Sequence, residues 1–536
     1  MATTPPNAVP GQISGGQLHS PSMVAYIERH AHENPERMAL IDGGTQEAIT
    51  YGALVARIHA AARVLEGDGI GHGDRVGVLS PNSLPYVVLL LALAELGAIA
   101  VPQNTRLSPG EVAANLSDAG VSAVVGSVGL AETSTEAAQM AGVKRLYLLD
   151  GEAAGWTALP QGEVGLVPGR RGPAQEPSGE DTCTLLYTSG TTGVAKGCML
   201  AQRTWIGYAM NMQMALRLGR DDTYLAFLPF FHVAGLGLML SQLILGGCVV
   251  TQAAADPGQM HSNIRRHRVT VTMVVPGISG PFVNHPDAPG PAESSLRLVV
   301  SGAGLEQQAV MDAVVDRLGA EYIAIYGQTE SGTKTTWATY REIRDHPGTY
   351  GRVMPSMVYR IVDENDEDVP VGEPGELLLR GPTVMQGYWG RPEDTAETLR
   401  NGWHHTGDVF VYEGDGLVRM VDRTKYLIKT GGENVYPQEV ENVLKQHPGV
   451  ADVAVAGIPD AHWGETVKAF VVPRPGMEPQ RADLDAFVRG SLAGYKAPRY
   501  IEFVEVIPRN VSGKILKNDL VARPTDASQL VKPAQR

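Results

Sequence analysis

Residues Thr188-Ser189-Gly190-Thr191-Thr192-Gly193-Val194-Ala195-Lys196-Gly197 decide how the rest of the chain is read. They follow an apolar run, Thr184 to Tyr187, that reads as a strand. Glycines let a backbone turn tightly and bring several N–H groups to one point. The hydroxyls of Ser189, Thr191 and Thr192 add neutral donors, and Lys196 adds a positive charge. Together these suit a polyphosphate. A Walker-type loop needs Gly before its Lys and Ser or Thr after it. Ala195 and Gly197 stand in those places, which excludes the P-loop NTPase reading.

Outward from this loop the chain alternates between short apolar strands and amphipathic helices. Upstream, strands are predicted at Val76 to Leu79, Ala98 to Pro102, Ser122 to Gly126 and Arg145 to Leu149, with a helix across Pro85 to Leu96. Downstream, strands are predicted at Tyr224 to Leu228, Val269 to Val275 and Leu296 to Val300, and Val310, Val314 and Leu318 form one face of a helix. Strands alternating with helices imply an α/β fold with parallel-rich sheets flanked by helices. Pro160 to Asp181, dense in Gly, Pro and Glu, reads as an exposed loop.

The last hundred or so residues differ in texture. Pro437 opens a helix carrying Val440, Val443 and Leu444 on one face. Strands at Val453 to Ile458, Val467 to Val472 and Tyr500 to Ile507, with a helix at Leu484 to Leu492, make a small α+β unit. The expected division is a disordered tail over 1–20, a large domain over 21–424, a small domain over 425–522 and a polar tail over 523–536.

Composition narrows the function. With 536 residues the chain is too long for one core. A formal net charge of -14 and no basic stripe argue against nucleic acid as a partner. The most apolar stretch, Tyr86 to Val101, is short for a membrane span and carries Glu95, so it reads as a buried core helix. No signal peptide is visible, and the three scattered cysteines, Cys183, Cys198 and Cys248, show neither disulfide nor zinc spacing. A reducing, cytoplasmic setting follows as the expectation. Cys183 and Cys198 are read as packing residues.

The string Tyr187 to Gly197 resembles the signature of the adenylate-forming superfamily, which includes acyl-CoA synthetases, peptide-synthetase adenylation domains and firefly luciferase. Ala195 replaces the usual proline before the lysine, and Ala201-Gln202 replaces a frequent Thr-His. Further motifs follow in the family's order, from about Pro21 to Leu520. Ser301-Gly302-Ala303-Gly304-Leu305 resembles the adenine-contacting turn. Tyr326-Gly327-Gln328-Thr329-Glu330 resembles the segment in which Tyr326 stacks on adenine, Thr329 donates to the α-phosphate and Glu330 holds Mg²⁺, a cation that prefers oxygen ligands. Thr406-Gly407-Asp408 resembles the ribose-binding motif, with Asp408 as acceptor; His404 and His405 before it read as packing or surface residues. Arg423 matches a ribose contact and Lys425 the hinge. Gly431 and Gly432 match the loop bordering the pantetheine tunnel. Lys514, in Pro508-Arg509-Asn510-Val511-Ser512-Gly513-Lys514, matches the catalytic lysine.

The resemblance therefore implies ATP, Mg²⁺ and coenzyme A as ligands and a mobile C-terminal domain. Thr188, Ser189, Gly190, Thr191 and Gly193 join Lys196 in the phosphate loop, and Thr192, Glu330 and Lys514 are the catalytic set. A small carboxylic acid would lie among His232, Val275, Gly277, Ala303, Gly327 and Lys334, with Phe231 and His232 at its gate. For Lys334 a solvent-facing loop lysine is slightly favoured, pairing with a polar or anionic end of the acid being the alternative. The implied reaction joins the acid to CoA through an acyl-adenylate. Two competing readings are an enzyme loading a separate carrier protein and a non-catalytic relative; the latter predicts losses at Lys196, Glu330, Asp408, Arg423 or Lys514, and all five are present. The oligomeric state stays open, a homodimer included.

Overall fold

The computed structural model describes residues 20–160, 177–188, 195–302, 306–332, 334–423, 428–430, 433–460, 463–509, 515–525 and 527–531. The α/β expectation holds. Two large sheets carry the N-terminal part. One runs Arg352–Val353, Thr336–Thr339, Glu321–Tyr326, Leu298–Ser301, Val271–Val274, Thr223–Ala226, Cys248–Thr251, Met38–Asp42 and Ala48–Thr50, parallel at its centre. The other runs Gly387–Tyr388, Lys196–Ala201, Thr182–Thr188, Ile99–Pro102, Arg75–Leu79, Ala123–Gly126, Arg145–Leu148 and Thr157–Ala158.

The predicted apolar helix spans Leu84–Glu95 and is buried along its whole length. Ser83 caps it through Tyr86 N, and Pro85 occupies the first turn, where a missing N–H is harmless. Being apolar on all sides, it packs in the core rather than beneath solvent. No helix among the described residues is long and apolar enough to cross a membrane.

A four-stranded antiparallel sheet follows, ordered Val358–Val362, Pro374–Arg380, His404–Gly414 and Leu417–Arg423. It was not foreseen. Its strands alternate buried and exposed residues only in short runs, and several charged side chains interrupt them.

The C-terminal unit has its own apolar core, including Val440, Leu444, Val453, Val467, Leu484 and Ile501. Its helix spans Pro437–Lys445, and the strands Val450–Asp460 and Gly464–Pro473 pair antiparallel. Tyr500–Phe503 joins Gly464–Pro473 in parallel. The segment read as a polar C-terminal tail is partly docked: Leu530 bridges to Tyr500, and Val531 is buried in this core. Two adjacent apolar residues, Leu530 and Val531, at a polar terminus are too weak a signal to read from sequence.

Candidate active site

The signature loop is the connection of an antiparallel hairpin. Thr182–Thr188 pairs with Lys196–Ala201, and Thr188 lies opposite Lys196. Residues 189–194, and so Ser189, Gly190, Thr191, Thr192 and Gly193, fall outside the described residues. At the edge of the hairpin, Gly387–Tyr388 adds as a further strand, with Tyr388 opposite Cys198.

That short strand stitches two motifs together. Trp389 N donates to Gly197 O at 2.8 Å, and Met385 N donates to Glu330 O at 2.9 Å. The Tyr388 hydroxyl donates to Glu330 Oε1 at 2.9 Å. Burial first, and then the Glu330 charge, push the Tyr388 phenol up, so it remains a donor. Lys196 Nζ lies 5.2 Å from the Tyr388 ring centroid and is ion-paired with Asp394. Lys196 and Glu330 thus meet on one tyrosine. Neither Tyr388 nor Asp394 was foreseen; both come from a segment, 385–394, without a sequence pattern that marks it.

A second cluster forms around Asp408, which is 1% exposed. Tyr326 Oη and Gln328 Nε2 each donate to Asp408 Oδ2 at 2.5 Å, and Gln328 Nε2 also donates to Thr406 O at 2.8 Å. Gln328 was quoted within its motif but given no role, and here it holds the Asp408 carboxylate. The Tyr326 ring meets Phe410 edge-on at 5.1 Å and Tyr350 at 5.7 Å. Arg423 pairs through its backbone with Asp408.

Gly302 has a packing role. A Cβ there would meet Ile325 Cγ1 at 3.0 Å, Ile325 O at 3.1 Å and the Met273 methyl at 3.2 Å. Ala303 and Gly304, Lys425 expected as the hinge, Gly431, Gly432 and Lys514 lie outside the described residues. Gly431 and Gly432 fall between the paired strands Ile428–Thr430 and Glu433–Val435.

The chain leaves the sheet at Tyr326 and returns antiparallel, Tyr326 opposite Thr336. The intervening turn is fixed by Ser331, whose hydroxyl accepts from Gln328 N at 3.1 Å and donates to Gln328 O at 3.0 Å. Gly332 has φ +69°, and a Cβ there would lie 1.9 Å from Thr383 O, so only glycine fits. Thr329 and Glu330 are half-buried and Gly327 is exposed.

Among the expected acid-contacting residues, Val275 is half-buried and Gly277 exposed, with φ +98° and open space where a Cβ would stand. His232 stacks obliquely on Phe231 at 4.6 Å. Burial, with Arg106 adding to it, pulls its pKa to about 4, so the imidazole is neutral near pH 7. Lys334 overturns the favoured reading. It does not face solvent: it is 3% exposed, and Nζ contacts Met273 Sδ at 3.1 Å. The return strand carries it into the interior. Burial pulls its pKa to about 7.

The histidines before Asp408 are interior residues, not surface ones. His404 is 2% exposed and held neutral, its pKa lowered to about 3 by burial and then by His405, whose Nδ1 lies 3.0 Å from Glu376 Oε2. Cys183 and Cys198 are packing residues as expected, their thiols pushed up by burial, Cys183 to about 12.

The Glu330 carboxylate with the Tyr388 hydroxyl beside it offers oxygen donors, which suit a hard divalent cation. A carboxylate wrapped in neutral donors at Asp408 suits ribose hydroxyls that exchange with Tyr326 and Gln328.

Residues 27–389 match the AMP-binding enzyme family and 439–514 its C-terminal domain. A feruloyl-CoA synthase from Amycolatopsis sp is 39% identical over 499 residues, 92% of this chain and 97% of that one. A fatty acid–[acyl-carrier-protein] ligase from Streptomyces coeruleorubidus is 34% identical, covering 94% and 97%. The structure of O-succinylbenzoate coenzyme A synthetase from Bacillus subtilis, in complex with ATP and magnesium ion, superposes with a TM-score of 0.80 at 28% identity, covering 92% and 98%. On this extent of similarity, the chain belongs to the AMP-binding enzyme family, with the fold and motifs of its acyl-CoA synthetase branch.

Proposed function

We propose that the protein is an AMP-forming acid–CoA ligase: acid, ATP and CoA yield acyl-CoA, AMP and pyrophosphate. The observation that carries this reading is the segment 385–389, which ties Glu330 to the signature hairpin through Met385, Tyr388 and Trp389. The first step brings a carboxylate onto a triphosphate. At ~4 Å, two unit charges repel by about 4 kcal/mol at an effective dielectric of 20. Lys196, the signature loop with Thr188 and Thr192, and Lys514 supply donors and positive charge. Mg²⁺ held by Glu330 would screen the phosphates.

One carboxylate oxygen bonds to the α-phosphorus, and the bond to the bridging oxygen of pyrophosphate breaks. Thr329 orients the α-phosphate, and Asp408 and Arg423 hold the ribose. Lys514 bridges the incoming carboxylate and the α-phosphate. The domain 425–522 then turns about Lys425, withdrawing Lys514 and presenting Gly431 and Gly432 to the pantetheine arm. The CoA sulfur bonds to the acyl carbon, the bond to AMP breaks, and the thiol proton leaves to solvent. A cytoplasmic location belongs to the same proposal, and the oligomeric state stays open.

The test is AMP release from ATP and Mg²⁺ across a panel of acids, with and without CoA. Rapid AMP release only with CoA supports the ligase; release only with a carrier protein supports the alternative acceptor, the activity named for one relative. Lys514→Ala is expected to slow adenylation about 10²–10³-fold while sparing thioester formation from supplied acyl-adenylate. Full-speed adenylation by that variant removes Lys514 from the mechanism.

A further inference from the structure

Lys334 carries a charge that the fold does not answer. The residue is 3% exposed, and its amine contacts a thioether, Met273 Sδ, at 3.1 Å. Among the described residues no carboxylate lies within ion-pair distance of Nζ. The neighbouring strands Val271–Val274, Leu298–Ser301 and Thr336–Thr339 contain no ionisable side chain. Glu321–Tyr326 contributes Glu321, exposed at its far end, and two tyrosines, of which Tyr326 is committed to Asp408. The next carboxylate along the turn, Glu330, is engaged by Tyr388.

The position of the amine fits a ligand. Met273 ends beneath Gly302, and Val275 follows two residues later on the same face of the strand. Thr335 N donates to Tyr326 O at 2.7 Å, fixing Lys334 beside the Tyr326–Glu330 turn. These groups lie at the carboxyl ends of parallel strands, where open α/β sheets bind their ligands. A thioether is a weak acceptor and carries no charge. A neutral acceptor from a ligand would leave the ammonium uncompensated, whereas an anion would answer it.

We propose that Lys334 determines acyl specificity by binding a second carboxylate at the far end of the acid, so that dicarboxylic acids are the preferred substrate class. This rests on the acid–CoA ligase reading. Burial lowers the Lys334 pKa to about 7, so the amine is charged below that pH and loses its charge above it. Selection of a carboxylate therefore weakens as pH rises past 7, while activity on an apolar acid does not follow that titration.

The experiment compares matched pairs, each a monocarboxylic acid and its ω-carboxylated counterpart of equal length, aliphatic and arylalkyl. AMP release with CoA is followed for the full-length wild type, Lys334→Met and Lys334→Arg. The wild type is expected to favour the diacid. Lys334→Met should lose about 10²–10³-fold in kcat/KM on the diacid, through KM, and keep the monoacid. Lys334→Arg should retain part of the diacid preference. The wild-type diacid advantage should decline above pH 7.

Equal losses on both members of each pair, or a wild type indifferent to the second carboxylate, overturns the proposal but leaves the ligase intact. A preference for phenol-bearing acids, unchanged above pH 7, overturns it in favour of a neutral-amine contact. No AMP release from any acid, in the broad panel or these pairs, defeats the ligase reading and this proposal together.

Discussion

Among the described residues two lysines are buried, Lys334 in the large N-terminal part and Lys468 in the C-terminal unit, and their surroundings differ in kind. Lys468 in the C-terminal unit is 0% exposed. It stands opposite Tyr500, one diagonal step from Glu502 on the same face, and Nζ lies 2.9 Å from Glu502 Oε2. Thr525 Oγ1 accepts from the same amine at 2.8 Å, and Phe470 presents its ring at 4.9 Å. Burial alone would raise the Glu502 carboxyl, but hydrogen bonds from Lys468 and Arg523 outweigh it and hold the carboxyl below its ordinary range. Lys334 has burial without the counter-charge. A domain that buries an amine for its own architecture supplies the answering anion from the adjacent strand. An amine left unanswered beside an active site costs stability and is kept for something that arrives from outside.

The largest expected effect breaks the answered pair. Lys468→Met leaves Glu502 with Arg523 alone in a largely buried site. Removing one partner of a buried ion pair is expected to cost about 3 kcal/mol, read as a lower urea midpoint for the C-terminal unit. A variant as stable as wild type would show that the pair does not hold this sheet, and the contrast with Lys334 would lose its meaning.

Lys334→Met should act in the opposite direction. The folded-state pKa of about 7 lies below the unfolded value near 10.4, so between these pH values the unfolded chain binds more protons and wild-type stability rises with pH. Below pH 7 both states are charged, and the full burial cost is present. The apolar variant should therefore be more stable than wild type by about 2 kcal/mol at pH 6, with the gain shrinking as pH rises from 7 toward 10. Thermal melts of both proteins across that range check it. A destabilised variant at every pH would mean that the amine has a native partner.

How much of this was legible in the sequence follows the range of the forces involved. Local patterns were readable: the apolar helix Leu84–Glu95, the parallel strands and the helix opening at Pro437 all depend on neighbours within a few residues. Motif order grouped Lys196, Glu330, Tyr326 and Asp408, and the structure joins them in two clusters, Lys196 with Glu330 about Tyr388 and Tyr326 on Asp408. Contacts between residues 58 and 198 positions apart were not readable. Asp394 on Lys196 and Tyr388 on Glu330 are set by one edge strand, Gly387–Tyr388. Lys334 was misjudged for the same reason. A lysine shortly after Gly332 looks like a loop residue, and only the antiparallel return at Thr336–Thr339 turns it inward.

The smallest effect sharpens the comparison by separating charge from hydrogen bonding at Lys468. Thr525 supplies a neutral acceptor to an amine already paired with Glu502. Thr525→Val keeps the shape and removes that acceptor, and a net hydrogen bond is worth about 1 kcal/mol. The predicted loss is of that size, well short of the Lys468→Met effect. Urea titrations of the two variants side by side measure the ratio. If Thr525→Val equals Lys468→Met, the hydroxyl rather than the carboxylate secures this amine. A buried lysine would then need no counter-charge to be structural, and the unanswered charge of Lys334 would no longer distinguish a binding group from an architectural one.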